Sequence, residues 1–316
     1  MKVICTSPSF AKHSNEPLER LQKEGCELIR VAADISEEDF IKRAQGAQAA
    51  IVAFNQINEN VLSQLPKLKV VAKHGVGVDN IDLEAAARYG VIVTNVPNAN
   101  KHAVADYSFS LMLSLARKIP EGNSKTKNGV WESLFGADIY KKTIGIIGLG
   151  AIGKEVAKRA EGFSMDVIAY DPFIDEVYST ENNIRSVSLD ELLQKSDFIT
   201  LHMPLLEETR HLITTPQLNL MKESAYLINA SRGGIVDESA LYKALQSNKI
   251  AGAALDVFET EPLINSPLFS LDNFIAMPHV AGYTPGAVNI LSNTCVDQVT
   301  AILKGEGNVD YVVSGS

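Results

Sequence analysis

Several polar side chains that could do chemistry come directly after short apolar runs of the chain. They include His74, Arg232, Asp256 and His279. The runs are rich in β-branched residues, which is typical of parallel strands covered on both faces. Because ligands bind beyond the carboxyl ends of such strands, we expect these residues to converge on one ligand site.

A histidine, a carboxylate and an arginine together could assist the reduction of a carbonyl group by a hydride donor bound beside them. Histidine can give a proton to the developing alkoxide near neutral pH. A carboxylate such as Glu261 would hold the tautomer of that histidine and favour its charged form, and Arg232 would bind a substrate carboxylate through its fork of donors. A single histidine after a strand is more often structural, so the prediction for His279 depends on these neighbours.

A dinucleotide-binding sequence could hold the hydride donor. An apolar strand pattern at residues 143–147 runs directly into a GxGxxG sequence at residues 148–153, and a helical pattern follows. Gly148 would make the tight turn, Gly150 would admit the pyrophosphate, and Gly153 would let the helix pack closely on the strand. The N–H groups at the helix N-terminus would attract the phosphates.

Asp171 indicates which dinucleotide binds. It follows the next apolar run, roughly 20 residues after the last glycine, where an acidic residue accepts hydrogen bonds from the adenosine ribose. Its carboxylate would repel the 2′-phosphate of NADP, so NAD is the predicted cofactor. The alternative is that Asp171 and Pro172 form only a turn.

Strand and helix patterns alternate along the chain, which predicts an α/β fold with mostly parallel sheets flanked by helices. Two domains suit a chain of 316 residues better than one large sheet, and the boundary is expected near residues 97–100. Ser188 and Asp237 are predicted to cap helices. Strands are predicted at residues 2–6, 27–31, 50–54, 70–73, 91–95, 143–148, 166–170, 197–201, 225–229, 251–256 and 274–277.

A segment without strand patterns follows a long apolar helical stretch at residues 103–119. It extends to residue 142 and contains the only tryptophan, Trp131. The segment could be a covered surface loop or an arm that packs on a second subunit. We favour the second interpretation.

The composition narrows the class of protein. Hydrophobic residues make up 46% and charged residues 21%, as in an ordinary globular protein. The net charge of -9 disfavours nucleic acid as a partner, because an acidic surface repels phosphates. No apolar run reaches the roughly 20 residues that span a bilayer, and the first residues lack a signal-peptide pattern. We therefore expect a cytoplasmic protein without membrane or nucleic-acid partners.

The three cysteines, Cys5, Cys26 and Cys295, predict neither a disulfide framework nor a metal site. Their number is odd and no CxxC spacing occurs. We expect reduced thiols and no bound metal.

Four segments resemble motifs of the D-isomer-specific 2-hydroxyacid dehydrogenases, in the same order. Residues 231–238 (SRGGIVDE) are similar to the segment with the catalytic arginine, residues 256–262 (DVFETEP) to that with the catalytic glutamate, and residues 278–284 (PHVAGYT) to that with the catalytic histidine. Residues 74–82 (HGVGVDNID) resemble the loop whose backbone N–H groups bind the substrate carboxylate. The resemblance covers nearly the whole chain and is closest to the phosphoglycerate dehydrogenase-like branch. We expect a short form of that branch, without a C-terminal regulatory domain.

The resemblance implies two Rossmann-like domains with the active site in the cleft between them, and usually a homodimer. Residues 1–98 and 285–316 would form the substrate-binding domain, and residues 99–284 the NAD-binding domain with a dimerisation arm near residues 120–142. The implied catalytic group is Arg232, Glu261 and His279. The implied cofactor-binding residues are Val76, Gly148, Gly150, Ala151, Ile152, Gly153, Asp171, Met203, Pro204, Ala230, Ser231, Arg232, Asp256, His279 and Gly282. The implied substrate-binding residues are Lys73, His74, Gly75, Val76, Gly77, Arg232 and His279.

The implied activity is NAD-dependent hydride transfer between a short 2-hydroxy acid and its 2-oxo acid. D-3-phosphoglycerate and 3-phosphohydroxypyruvate are placed narrowly ahead of hydroxypyruvate, glyoxylate or another small 2-oxo acid. Lys73 stands where arginine is common, and no arginine occurs near Phe54, where phosphoglycerate enzymes often hold the phosphate. Some relatives are NAD-sensing corepressors, but an intact catalytic group favours an enzyme over a purely binding protein.

Overall fold

The computed structural model describes residues 1–306, 309 and 311–313. The chain divides into two compact units. Unit 1 comprises Met1–Asn100 and Tyr283–Ser316, and unit 2 comprises Lys101–Gly282. The assignment of substrate to unit 1 and of cofactor to unit 2 stays a prediction.

The secondary structure alternates between strands and helices, as the sequence predicted. The strands are β1 (Lys2–Cys5), β2 (Glu27–Arg30), β3 (Ala49–Val52), β4 (Val70–Lys73), β5 (Ile92–Thr94), β6 (Thr143–Ile147), β7 (Asp166–Tyr170), β8 (Arg185–Ser186), β9 (Phe198–Leu201), β10 (Tyr226–Asn229), β11 (Gly252–Leu255) and β12 (Phe274–Ala276). The helices are α1 (Glu16–Lys23), α2 (Glu37–Arg43), α3 (Glu59–Ser63), α4 (Leu83–Arg88), α5 (Lys101–Ala116), α6 (Ile119–Lys127), α7 (Ala151–Gly162), α8 (Glu176–Glu181), α9 (Leu189–Lys195), α10 (Thr215–Leu220), α11 (Glu238–Gln246) and α12 (Pro285–Lys304). A short 3-10 helix spans Pro267–Ser270.

Each unit contains one parallel sheet, which confirms the predicted fold class. The sheet of unit 1 has the order β2-β1-β3-β4-β5, and that of unit 2 the order β12-β11-β10-β9-β6-β7-β8. The strand pairs in both sheets are parallel. The carboxyl ends of the strands in one sheet therefore lie at one edge, which is where ligands bind in such folds.

The sheets are covered on both faces, which explains the continuous apolar runs of the central strands. In β1, Ile4 packs into one core of unit 1, whereas Val3 and Cys5 pack into the core on the other face. In β6, Ile147 and Ile146 are likewise divided between the two cores of unit 2. Helix α12 belongs to unit 1 because its apolar residues pack on the sheet face that contains Val3.

Two features of the fold differ from the sequence prediction. The edge strand β8 was missed because it has only two residues, both exposed, and no apolar run marks it. The helix predicted at residues 103–119 ends at Ala116, and α6 begins at Ile119 after Lys118 adopts a left-handed backbone with φ of 52°. The predicted caps at Ser188 and Asp237 do accept hydrogen bonds from the first turns of α9 and α11.

A cluster of charges fixes α5 on α7 in unit 2. The carboxylate of Glu155 on α7 is buried, at 5% exposure. On the neighbouring α5, Asp106 receives a hydrogen bond of 2.6 Å from Arg159 of α7. The basic side chains within 4 Å of Glu155 are Lys101, His102, Lys158 and Arg159.

Within the described part of the chain, helices of the length and apolarity needed to cross a membrane are absent. The same residues contain no group of three or more His, Cys, Asp and Glu side chains arranged to hold a metal ion. Cys5, Cys26 and Cys295 are buried free thiols.

Replacing Glu155 with glutamine should lower the free energy of unfolding by about 1–3 kcal/mol, because it removes the charged acceptor from this cluster. Burial raises the pKa of Glu155, but its bonds to Lys158 and Lys101 bring the pKa below its usual value. The stabilisation is therefore present at neutral pH and is lost as the pH falls through the lowered pKa. Chemical unfolding at about pH 7 and about pH 3 measures both effects. Glu161→Gln, on an exposed position of the same helix, is the control, and equal unfolding free energies at neutral pH would contradict the prediction.

Candidate active site

Arg232, Glu261 and His279 lie in unit 2, on three loops that leave neighbouring strands. Their loops follow β10, β11 and β12, which are adjacent in the sheet. Because these strands are parallel, the three loops begin at the same edge. The topology therefore places a histidine, a carboxylate and a guanidinium at one end of the sheet.

The imidazole of His279 is hydrogen-bonded to the carboxylate of Glu261. Nδ1 of His279 lies 2.7 Å from Oε2 of Glu261, and Oε1 of Glu261 accepts the N–H of Phe258 at 3.0 Å. Burial raises the pKa of Glu261, but the hydrogen bond with His279 and the charges of His279 and Arg232 bring the pKa below its usual value. Glu261 is therefore an ionised acceptor that fixes Nδ1 of His279 as the protonated ring nitrogen.

Asn229 shapes the turn that carries Arg232, a role that the sequence analysis did not predict. Its buried side chain accepts hydrogen bonds from the N–H and Oγ of Ser231 at 3.0 and 2.7 Å, and donates to the carbonyl of Arg232 at 2.9 Å. The guanidinium of Arg232 donates to the carbonyl of Ser231 at 2.7 Å. The signal that could have revealed this role is an asparagine at the end of an apolar strand, because Asn side chains bond the backbone two residues on.

Gly233 lets the loop of Arg232 touch the loop of Glu261. A Cβ atom at Gly233 would lie 1.9 Å from the carbonyl oxygen of Phe258, a distance that no real side chain permits. In the sequence, Gly233 stands out only as part of the motif at residues 231–238. The close approach explains how the charge of Arg232 acts on the carboxylate of Glu261.

Asp256 holds the backbone around His279. Its fully buried carboxylate accepts the N–H groups of Val280 and Ala281 at 2.9 and 2.8 Å, and its carbonyl accepts the N–H of His279 at 2.8 Å. His279 has a φ of 55°, a left-handed conformation that is strained for a residue with a side chain. Burial raises the pKa of Asp256 despite the two bonds. The carboxylate and the carbonyl of Asp256 thus both position the loop that contains His279.

The GxGxxG segment forms the turn and helix N-terminus that a dinucleotide needs. Gly148 has a φ of 95°, and a Cβ at Gly153 would lie 2.1 Å from the carbonyl oxygen of Gly148, so both positions require glycine. Gly150 faces open space. The first helical bond runs from Lys154 N to Gly150 O, so the N–H groups of Ala151 and the next two residues have no helical acceptor. These groups fit a bound pyrophosphate.

Asp171 lies beside the same turn. Its Oδ2 accepts the N–H of Leu149 at 2.8 Å, and its Oδ1 accepts the N–H of Phe173 at 2.9 Å. The carboxylate is therefore fixed next to the glycine-rich turn, where it could meet the ribose of a dinucleotide.

Other predicted cofactor residues surround this end of the sheet. Ile152 packs with Ala230, Ala281 and Val104 in one small apolar cluster, and Met203 lies next to the backbone of Gly148. Pro204 is the next residue after Met203, and Gly282 is the last residue of unit 2.

In unit 1, Lys73 and His74 are engaged by the fold itself. The ammonium of buried Lys73 donates to the carbonyl of Ala53 and, at 2.6 Å, to Oδ1 of Asn80. The ring nitrogens of His74 each lie 3.0 Å from a serine hydroxyl, and its backbone N–H donates to Val52. Burial, aided by the charge of Lys73, lowers the pKa of His74 to about 4, so its ring is neutral. The two hydroxyls belong to Ser7 and Ser292.

The loop after His74 presents backbone donors. Within the described residues, the N–H groups of Gly75, Val76 and Gly77 donate no hydrogen bond. The carbonyls of Gly75 and Val76 are held by the N–H of Val96 at 2.9 Å and by the side chain of Asn95 at 2.7 Å. A loop anchored by its carbonyls, with successive N–H groups unused, suits an anion such as a carboxylate.

Comparisons with known proteins agree with this geometry. A family model described as D-isomer specific 2-hydroxyacid dehydrogenase, NAD binding domain, matches residues 109–281. D-3-phosphoglycerate dehydrogenase of Methanocaldococcus jannaschii is 42% identical over 310 residues, which are 97% of this chain but only 58% of that protein. Glyoxylate reductase of Pyrococcus horikoshii is 41% identical over 283 residues, 86% of this chain and 85% of that protein. The crystal structure of D-lactate dehydrogenase from Aquifex aeolicus with NAD and lactic acid superposes with a TM-score of 0.87 at 29% identity, covering 100% of both chains.

The chain therefore spans less than two thirds of the length of the Methanocaldococcus jannaschii enzyme that it resembles. The similarity to the glyoxylate reductase covers most of both proteins.

Replacing Asp171 with alanine should reduce the preference for NADH over NADPH by about tenfold or more, because it removes the charge that repels a 2′-phosphate. Fluorescence titration with each cofactor measures the ratio of the two dissociation constants. Asp166→Ala, at the exposed start of β7, the strand that Asp171 directly follows, is the matched control. An unchanged ratio in Asp171→Ala would show that this carboxylate does not distinguish the ribose of NADH from the 2′-phosphorylated ribose of NADPH.

Proposed function

The chain belongs to the D-isomer specific 2-hydroxyacid dehydrogenases, and from this premise we propose that it catalyses NAD-dependent hydride transfer between a short 2-hydroxy acid and its 2-oxo acid. The observation that carries the proposal is the 2.7 Å hydrogen bond between His279 and Glu261, with the loop of Arg232 packed against that of Glu261. A protein that only bound NAD would not need a proton donor held in this way.

His279 would act as the proton donor in the direction of reduction. The ionised Glu261 holds Nδ1–H, so the proton would pass to the carbonyl oxygen of the substrate from Nε2. The neutral imidazole left after transfer would keep its hydrogen bond to Glu261. In the direction of oxidation the same nitrogen would take the proton from the hydroxyl group.

Arg232 would bind the carboxylate of the substrate and polarise its carbonyl group. A guanidinium suits this role because its donors match a carboxylate in a fixed plane. The bond of its Nη1 to the carbonyl of Ser231 restricts its rotation. Removing one such preorganised contact typically lowers kcat by a factor of about 10²–10³.

NAD fits the residues of unit 2. Gly148, Gly150 and the N–H groups of the first turn of α7 would hold the pyrophosphate, and Asp171 would bind the adenosine ribose. Ile152, Ala230 and Ala281, which pack in one small apolar cluster, would line the nicotinamide site. When bound, the cofactor supplies or accepts the hydride.

Unit 1 would contribute substrate binding. The N–H groups of Gly75, Val76 and Gly77, which donate to no acceptor among the described residues, would bind an anionic group of the substrate. His74 would support this loop rather than touch substrate, because its ring and its backbone N–H already have partners.

D-3-phosphoglycerate and 3-phosphohydroxypyruvate are the first proposed substrate pair. The support is the 42% identity to a D-3-phosphoglycerate dehydrogenase over 97% of this chain. Lys73 is the basic residue next to the candidate substrate loop, and it could bind phosphate as a point charge.

Glyoxylate or hydroxypyruvate is the second candidate, and the geometry of Lys73 favours it. The ammonium already donates to the carbonyl of Ala53 and to Asn80, and it lies 5.8 Å from the ring centre of Phe54. A phosphate would have to compete with these bonds, whereas a small uncharged tail would leave them intact. The 41% identity to a glyoxylate reductase points in the same direction.

We also propose that the enzyme is a cytoplasmic homodimer. Residues 130–139, which contain neither helix nor strand, carry Trp131 at 92% exposure and Phe135 at 88%. Large exposed aromatic side chains are typical of interfaces rather than of free surfaces. Analytical ultracentrifugation of the wild type and of a Trp131→Ser variant would test this arm.

His279→Ala should lower kcat by about 100-fold or more, while the dissociation constant of NADH stays within about twofold of the wild-type value. The proton donor is lost, but the pyrophosphate and ribose contacts proposed for the glycine-rich turn and Asp171 remain. NADH oxidation is measured with 3-phosphohydroxypyruvate, hydroxypyruvate, glyoxylate and pyruvate. His13→Ala, which removes an exposed histidine of unit 1, is the control. Wild-type turnover in the His279 variant would remove this residue from the mechanism.

Lys73→Met should raise KM for 3-phosphohydroxypyruvate about tenfold more than KM for glyoxylate, because the variant keeps the buried stem and loses only the charge. Steady-state kinetics on both substrates give the ratio. A uniform rise in KM would mean that Lys73 only supports the loop through Ala53 and Asn80, and would place the unphosphorylated acids first.

A further inference from the structure

Two glutamates beside the candidate active site exchange hydrogen bonds through their backbones. The N–H of Glu259 donates to Oε1 of Glu238 at 2.6 Å, and the N–H of Glu238 lies 3.5 Å from Oε1 of Glu259. Glu238 is the first residue of α11, and Glu259 lies in the loop after β11. We call this reciprocal pair, Glu238 and Glu259, the glutamate clasp.

The clasp connects the loops that carry the candidate catalytic residues. Nε2 of His211 lies 3.2 Å from Oε1 of Glu259, and the N–H of His211 donates to the carbonyl of Gly234 at 2.7 Å. Gly234 is two residues after Arg232, and Glu259 is two residues before Glu261. The clasp and His211 thus join both loops to the start of one helix.

We infer that Glu238 is a positioning residue for the reaction: its carboxylate holds the backbone of Glu259, and thereby keeps the carboxylate of Glu261 within hydrogen-bond reach of His279. The inference rests on the proposed function, because it assigns Glu261 the role of orienting the proton donor. Among the described residues, Glu238 forms no hydrogen bond or ion pair with either His279 or Arg232.

The geometry explains why this contact matters. The bond from the N–H of Phe258 to Glu261 lies within the loop and cannot fix the loop in space. From outside, the loop is held by the packing of Phe258 in the core, by its contact with Gly233, by His211 and by the clasp. The clasp and His211 both act on Glu259, two residues before Glu261. A displacement of about 1 Å at a reacting group can lower the rate about 10²-fold.

The surroundings of Glu238 bear on which property of its side chain the clasp needs. Burial raises the pKa of Glu238, and so do the charges of Glu259, Asp237 and Glu261, although the bond from Glu259 lowers it, and the net pKa is above the usual value. The surroundings therefore disfavour its charge. A neutral acceptor of the same length would make the same bond without this penalty, which suggests that reach, not charge, is the essential property.

Two variants separate reach from charge. Glu238→Asp keeps the charge but withdraws the acceptor by one methylene group, and Glu238→Gln keeps the acceptor but removes the charge. Glu176→Ala is the matched control, because Glu176 is also the first residue of a helix after an aspartate cap, in α8, where no clasp forms. Each protein is assayed for kcat, KM and NADH dissociation constant, and for its melting temperature without cofactor.

We expect Glu238→Asp to lose about tenfold or more in kcat, with NADH affinity within about twofold of the wild type. We expect Glu238→Gln to retain most of the wild-type kcat, and Glu176→Ala to match the wild type. Wild-type kcat in Glu238→Asp, or an equal loss in both Glu238 variants, would overturn the inference. A loss in Glu238→Asp that follows its melting temperature and disappears at lower temperature would also overturn it. The wild-type assay separates the two proposals, since a wild type that does not reduce any 2-oxo acid refutes the proposed function before the variants are compared.

Discussion

The candidate active site depends on one hydrogen bond, between Nδ1 of His279 and Oε2 of Glu261. An imidazole can donate a proton at a chosen atom only if its other nitrogen is held. The bond forms only if two loops from adjacent strands hold Nδ1 of His279 and Oε2 of Glu261 at hydrogen-bond distance from each other. Much of the surrounding structure in unit 2 serves that requirement.

The requirement is met mostly by side chains that hydrogen-bond to the backbone of the loops. Asp256 holds the N–H groups that follow His279 and stabilises a left-handed backbone that would otherwise be unfavourable. Gly233 permits contact between the loops of Arg232 and Glu261, and Asn229 closes the turn before Arg232. The glutamate clasp adds a support from α11. The site is therefore preorganised by polar groups that have their partners before any ligand binds, as efficient electrostatic stabilisation demands.

Unit 1 shows how the fold can engage side chains that are suited to chemistry. His74 follows a strand, as the candidate catalytic residues do, yet its burial lowers its pKa to about 4 and two serine hydroxyls lie within hydrogen-bond distance of its ring nitrogens. The charge of Lys73 is held within the same unit. The loop that follows them has N–H groups at Gly75, Val76 and Gly77 that donate no hydrogen bond to any described residue, which suits an anion.

The features that the sequence by itself determined are those encoded within a few consecutive residues. The apolar runs, the helix caps at Ser188 and Asp237 and the glycines of the dinucleotide segment depend on local backbone preferences, so they predicted the α/β class, most of the strands and the turn before α7. The motif order also identified Arg232, Glu261 and His279 as candidates. The tertiary structure alone decided which side chains are satisfied and how the loops meet. The partners of His74 come from Ser7 and Ser292, and those of Glu238 and Gly233 from the loop at residues 258–259, all distant along the chain. Such contacts leave no local pattern, because they arise only when the strands have been brought side by side.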